Sequence, residues 1–170
     1  MKIVLLSIIF VVIVHGIHGQ TPAPSNIKLP VSKAVSTGYN VNLSLIDPAV
    51  TNITFVTIKL TSGDKMRVTG IVKNVGGKNF ESSENQQVVQ LWELRSATEK
   101  QKLKEISFVR LNAGQELKIS IDLPALKPGK EFPPDYQVMI VYDPDILMDA
   151  NKNNDDANYK NNTLLKNPFN

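Results

Sequence analysis

Leu117-Lys118-Ile119-Ser120-Ile121-Asp122-Leu123 is the stretch on which the fold turns. Its aliphatic residues alternate with polar ones, so an extended strand, whose side chains point to opposite faces with period two, puts all the aliphatics on one side. A helix would scatter them around its circumference. Working outward, Tyr136-Gln137-Val138-Met139-Ile140-Val141-Tyr142 is apolar at both sets of alternate positions, which predicts a central strand covered on both faces. Met66, Val68, Gly70 and Val72 alternate with Arg67, Thr69, Ile71 and Lys73 in another strand, and residues 53–60, 87–94 and 103–111 read as three more. Thr61-Ser62-Gly63-Asp64 and Asn74-Val75-Gly76-Gly77 supply turn chemistry between them. No window of comparable strength carries the helical period. The pattern predicts an all-β fold, an antiparallel sandwich of about seven strands packed face to face. Trp92, the one tryptophan, is expected in its core, where aromatics dominate.

The chain begins with Met1-Lys2, an apolar run from Ile3 to Val14, and then His15-Gly16-Ile17-His18-Gly19-Gln20. A short basic start, an apolar stretch below the roughly 18 residues a membrane span needs, and a small residue at the exit describe a signal peptide, residues 1–19. Residues 20–46 then read as an extended, proline-containing segment, and residues 47–167 as the folded domain. Export follows, to periplasm, cell surface or medium, with no membrane insertion after cleavage. Both histidines lie in the leader and the chain has no cysteine. The mature product therefore lacks the imidazole and thiol on which Ser-His-Asp and Cys-His nucleophiles and typical zinc sites depend. Without Lys2, the 19 Lys and Arg become 18 against 16 Asp and Glu, so the charge is nearly balanced. Glu99-Lys100-Gln101-Lys102-Leu103-Lys104 is the one basic cluster and reads as a loop or edge strand with solvating lysines. Nucleic acid is not an expected partner.

Three further motifs stand in order along the chain. Val72-Lys73-Asn74-Val75-Gly76 has the form V-x-N-x-G, Leu111-Asn112-Ala113-Gly114-Gln115 the form L-x-A-G-x ahead of the amphipathic strand, and Asp143-Pro144-Asp145 is followed by the pair Asn153-Asn154. Asparagine and glycine tolerate the left-handed backbone of tight corners, and asparagine side chains satisfy irregular backbone there. Together these motifs resemble the bacterial cell-adhesion-related domain, CARDB, over residues 47–167. The resemblance implies an immunoglobulin-like sandwich acting as an extracellular, non-catalytic binding or spacer module; it supplies no catalytic residues. A second pair, Asn161-Asn162, departs from the pattern, so either pair could occupy the family corner.

One constellation has ligand spacing. Asp149, Asn151, Asn153 and Asp155 fall at the one, three, five, seven positions of a calcium loop, with Asn154 in the place of the turn glycine. The twelfth position is Lys160 rather than a bidentate Glu, and the rival reading is a solvated turn capped by Asp and Asn side chains. Glu81, Glu84, Asp143 and Asp145 offer no pair with a reason to act as acid and base. Asn42-Leu43-Ser44, Asn52-Ile53-Thr54 and Asn161-Asn162-Thr163 match the N-glycosylation triplet and become acceptors only in a eukaryotic secretory pathway. The expected role is a binding or adhesion module contacting a protein or polysaccharide of the cell envelope through loops or a sheet edge. The alternative is a structural or accessory subunit of an envelope complex, calcium-stabilised or not, docked by strand addition. Ligand and oligomeric state stay open.

Overall fold

In the computed structural model, residues 45–169 are described, apart from 127, 128, 130 and 131. Residues 1–19, expected to be a signal peptide, and residues 20–44 lie outside the described residues. Nine strands follow in order: β1 (Pro48–Ile58), β2 (Lys65–Asn74), β3 (Phe80–Glu81), β4 (Gln87–Leu94), β5 (Lys100–Ser107), β6 (Arg110–Leu111), β7 (Glu116–Pro124), β8 (Asp135–Tyr142) and β9 (Thr163–Lys166). All pairings are antiparallel, and they form a three-stranded sheet β1-β2-β7, a four-stranded sheet β5-β4-β8-β9 and a small β3-β6 pair. With β1, β2 and β7 as strands A, B and E, and β4, β5, β8 and β9 as C, C′, F and G, this is an immunoglobulin-like sandwich. Six of its seven longer strands overlap the runs read as strands in the sequence, and the seventh is the four-residue β9; β3 and β6 are two residues each. β1 starts at Pro48, five residues before the predicted strand, and the expected 103–111 strand divides into β5 and β6.

The core fills the space between the sheets. Ile53, Val68 and Val72 from one side meet Val89, Leu91 and Val138 from the other, all without solvent exposure, and Phe80 and Tyr136 close the two ends. Ile119 of the diagnostic stretch is buried, with Leu117, Ile121 and Leu123 packed on the same core while Lys118 and Asp122 face water. Gly70 sits at the crossing of β2 and β8 because nothing larger fits: a Cβ there would stand 2.4 Å from Val138 Cγ2.

Asn74 explains the V-x-N-x-G motif. Fully buried at the end of β2, it accepts from the N–H groups of Asp47 (3.3 Å) and Gly76 (3.1 Å) and donates to the carbonyls of Lys78 (2.8 Å) and Leu111 (2.9 Å). One amide thus joins the start of β1, the β2–β3 connection and β6. Gly76 lies against the incoming chain, where a Cβ would be 2.3 Å from the Leu45 carbonyl oxygen.

Both seams between the sheets carry the same device. Lys104, on edge strand β5, donates to the Ser120 carbonyl of edge strand β7 (2.9 Å), and Lys166, on edge strand β9, donates to the Ile53 carbonyl of edge strand β1 (2.9 Å). Each ammonium occupies a carbonyl that an added strand would need.

Candidate functional site

Register assigns the residues of each sheet to faces, and the two outer faces differ. On β2 and β7 the outward pairs are Arg67 with Asp122, Thr69 with Ser120, and Lys73 with Glu116. Arg67 and Asp122 form a two-pronged ion pair (2.6 and 2.8 Å) and the hydroxyls of Thr69 and Ser120 are 2.8 Å apart. The β2–β7 seam of this face is a largely polar ladder, with Ile71 beside Lys118 within it, and β1 adds Val56, 55% exposed, beside Arg67.

The outer face of the four-stranded sheet is more apolar. Since Gln87, Val89, Leu91 and Glu93 of β4 point inward, Val88, Gln90, Trp92 and Leu94 point outward. On β8, Tyr136, Val138 and Ile140 point inward, leaving Gln137, Met139 and Val141 outside and only half-buried. Across the strands these residues form rows: Val88 beside Ser107 and Val141; Gln90 beside Glu105, Met139 and, one strand further, Thr163; Trp92 beside Lys102, Gln137 and, one strand further, Leu165. Leu165 is 51% exposed. Two expectations are corrected here. Trp92 is not a core residue but stands on the outer face, its indole N–H donating to Gln90 (3.0 Å). The outer side of β8 is not packed under a second layer among the described residues and stays half-buried, although the strand is central in its sheet. A polar string crosses the patch, in which Gln90 and Lys102 both donate to Glu105 (2.8 Å each); with Lys102 as the main cause, the Glu105 carboxyl is held below its ordinary range.

The calcium-spaced residues lie in the β8–β9 connection, residues 143–162, which contains single 3-10 turns at Ile146–Met148 and Tyr159–Asn161. Asp149 Oδ1 accepts from the Asn151 N–H (2.8 Å), and its Oδ2 accepts from the amides of Asn154 (2.7 Å) and Gln86 (2.9 Å). These donors, Asn154 first, pull the Asp149 carboxyl below the usual carboxylate range. Asn151 Oδ1 accepts from the Asn153 N–H (3.0 Å), while its amide donates to the Glu81 carbonyl (2.9 Å). The exposed Asn153 gives its backbone carbonyl to the Glu81 N–H (2.9 Å), and Asp155 pairs with Lys152 (3.1 Å). The one-three-five spacing therefore serves successive Asx turns, in which a side-chain oxygen takes the N–H two residues on; Asp143, Asp156, Asn158 and Asn167 repeat the pattern. Among the described residues no group of three or more His, Cys, Asp or Glu is placed to hold a metal ion. Excess calcium and excess chelator are accordingly expected to give the same thermal midpoint, whereas Asp149→Ala, which frees three donors, lowers it; a midpoint that rises with calcium sinks the Asx-turn account.

Asn161-Asn162 is the pair that immediately precedes β9, yet Asn154 of the other pair is also buried, beneath Ser82 and Gln86. Asn162 donates to Asp156 Oδ2 (2.7 Å), which also receives the Tyr142 hydroxyl (3.2 Å), and Asn161 donates to Asp47 (2.8 Å). Burial pushes the Asp156 carboxyl above its ordinary range despite these donors, and burial likewise raises the Tyr142 phenol. Of the glycosylation triplets, Asn52 is exposed on β1, the Asn161 amide is taken by Asp47, and Asn42 lies outside the described residues. At the other end of the sandwich, Glu93 is buried between the Arg95 guanidinium (2.7 Å) and the Tyr136 hydroxyl (3.1 Å). Both of its oxygens are engaged. No helix among the described residues is long and apolar enough to cross a membrane. Set against known proteins, the chain matches no protein-family model and no curated protein.

Proposed function

We propose that this chain is an exported, non-catalytic binding module of the cell-adhesion-related type, which holds a protein partner on the outer face of its four-stranded sheet. The contrast between the two outer faces carries the reading. Along β2 and β7 one carries the Arg67–Asp122 ion pair and the Thr69–Ser120 hydroxyls, with Val56 of β1 as its exposed apolar residue, whereas the other gathers the half-buried Val88, Trp92, Leu94, Met139 and Val141 and the exposed Leu165 around a few polar groups. An apolar patch rimmed by polar residues on a rigid scaffold is what protein interfaces present, with tryptophan enriched at their centres. The asparagine corner at Asn74, the Asp143-Pro144 turn and the Asn161-Asn162 pair before β9 support the family reading, since each has a definite structural task. The absence of histidine after residue 18, the lack of cysteine and the engagement of Glu93 support a non-catalytic role. The seam lysines weigh against strand addition at β1 and β7.

The test is capture from an envelope extract of the native host on immobilised protein. Wild type is expected to enrich a discrete protein, Val141→Glu to lose it, and Thr69→Lys, on the opposite face, to retain it. Enrichment of polysaccharide alone, or equal capture by both variants, overturns the reading.

A further inference from the structure

Between the two sheets, at the Glu93 end of the sandwich, edge strands β5 and β7 part and leave a cleft. We propose that this cleft is a binding site for a small aliphatic molecule with an uncharged carbonyl head, an aliphatic amide in the simplest case. The site is separate from the outer face and does not depend on the role assigned to that face.

Three observations carry this. The first is an asymmetry of the seam. Lys104 of β5 reaches across to the Ser120 carbonyl of β7 and ties the sheets at that level. Toward Leu123 the edges separate, and the open space between them is about 670 Å³. Small-molecule sites occupy roughly 300–1,000 Å³.

The second is the lining. Leu103 comes from β5, Leu123 and Pro124 from β7, and Leu126 and Pro134 from the connection that follows. The β4–β5 register slips at Leu103, which is left without a partner between Lys102, beside Trp92, and Lys104, beside Leu91. A bulge of this kind re-aims a side chain, and here it turns Leu103 to the cleft while Lys104 spans the seam. Leu103, Leu123 and Leu126 pack on the core yet are only partly buried, so an aliphatic chain laid along them removes further apolar surface from water.

The third is the polar group at the base. Glu93, 8% exposed, receives Arg95 Nε (2.7 Å) and the Tyr136 hydroxyl (3.1 Å), and all three residues line the cleft. Gln101 stands beside Glu93 in the β4–β5 register and lines it as well. Among the described residues neither Arg95 Nη2 nor the Gln101 side-chain amide has a hydrogen-bond partner. A ligand is therefore offered a guanidinium donor and an amide that both donates and accepts. The Arg95 charge is already answered by Glu93 and, at 3.3 Å, by Glu99. A carboxylate head would meet the buried Glu93 carboxylate and an ammonium head the guanidinium, whereas a carbonyl accepts from Arg95 without adding charge. A primary amide also donates to Gln101 Oε1.

Calorimetric titration of the purified protein with octanamide, octanoate and octylammonium, which differ in the head, tests this. Octanamide is expected to bind saturably and at least about tenfold more tightly than either charged probe, the worth of about one hydrogen bond. Gln101→Leu should lower the octanamide affinity several-fold and leave the charged probes unaffected. Ala125→Trp places an indole in the cleft while its backbone N–H keeps the Asp64 carbonyl, so it should abolish binding with an unchanged circular dichroism spectrum and thermal midpoint. Thr69→Lys, on the outer face of the other sheet, should leave binding intact. Sedimentation with phosphatidylcholine vesicles separates two sources of the chain. Protein that stays in the supernatant takes a free molecule, and co-sedimentation lost in Ala125→Trp assigns the chain to a bilayer lipid. No saturable binding of any probe overturns the proposal, as do equal affinities for the three heads or binding that survives Ala125→Trp.

Discussion

Asn74→Ala is expected to cost about 4 kcal/mol of folding free energy and to lower the thermal midpoint by roughly 15 °C. The side chain is wholly buried and serves four backbone groups: the N–H of Asp47 and of Gly76, and the carbonyls of Lys78 and Leu111. Truncation leaves all four without their partner, and each buried, unsatisfied group costs about 1 kcal/mol or more. Asn74→Asp is the informative control. It keeps the two accepted bonds but cannot donate, and it adds a charge in a site without a cation, so it should be no more stable than the alanine variant. Thermal and urea unfolding of both proteins measures the effect. A loss under about 1 kcal/mol for Asn74→Ala would mean that the corner is held by other means.

Gly70→Ala is the second large effect, and its suppressor makes it specific. The added methyl would meet Val138 Cγ2 at 2.4 Å and Ile119 Cγ2 at 3.0 Å, and neither β-branched neighbour has a free rotamer in a filled core. Overpacking of this kind costs about 1–3 kcal/mol or somewhat more. Val138→Ala alone leaves a cavity and is expected to cost about 2 kcal/mol. Together the two changes restore roughly the original volume, so the double variant should be more stable than the sum of the single losses by about 1–2 kcal/mol. Strict additivity in a double-mutant cycle would show that Gly70 is required for some reason other than the closeness of β8.

Six of the seven longer strands were legible because most of them carry a burial signal on one set of alternate positions. In residues 117–123 that signal is unambiguous, and β7 places its side chains as expected. In β4 the alternation points the wrong way. Its inward set is Gln87, Val89, Leu91 and Glu93, and its outward set is Val88, Gln90, Trp92 and Leu94. The outward set is the more apolar, so patterning alone assigns Trp92 to the core. What decides the matter is three-dimensional: Gln87 donates to the Phe108 carbonyl, Glu93 is held by Arg95 and Tyr136, and both polar residues are thereby tolerated inside. β8 misled in the same way, because a strand with two apolar faces signals either burial on both sides or a docking surface on one. The loop at residues 143–162 was legible in composition and not in purpose. Oxygen-bearing side chains at every second position serve both a calcium loop and a run of Asx turns, and only the donors present, such as Gln86 from another part of the chain, separate the two. The partnership of Asn74 with residues up to 37 positions away had no local signature beyond the asparagine itself.

The reach of Lys166 to the Ile53 carbonyl joins residues 113 positions apart. β9 is the last of the described strands in chain order, and it completes both the four-stranded sheet and the seam beside β1. A nascent chain that has not yet delivered residues 163–166 has an open β8 edge and an unclosed flank, so vectorial synthesis yields no finished sandwich until β9 has emerged. Such a chain stays threadable while it is being made, and ribosome-stalled intermediates ending before residue 163 should remain protease-sensitive even when β1 to β8 have all emerged.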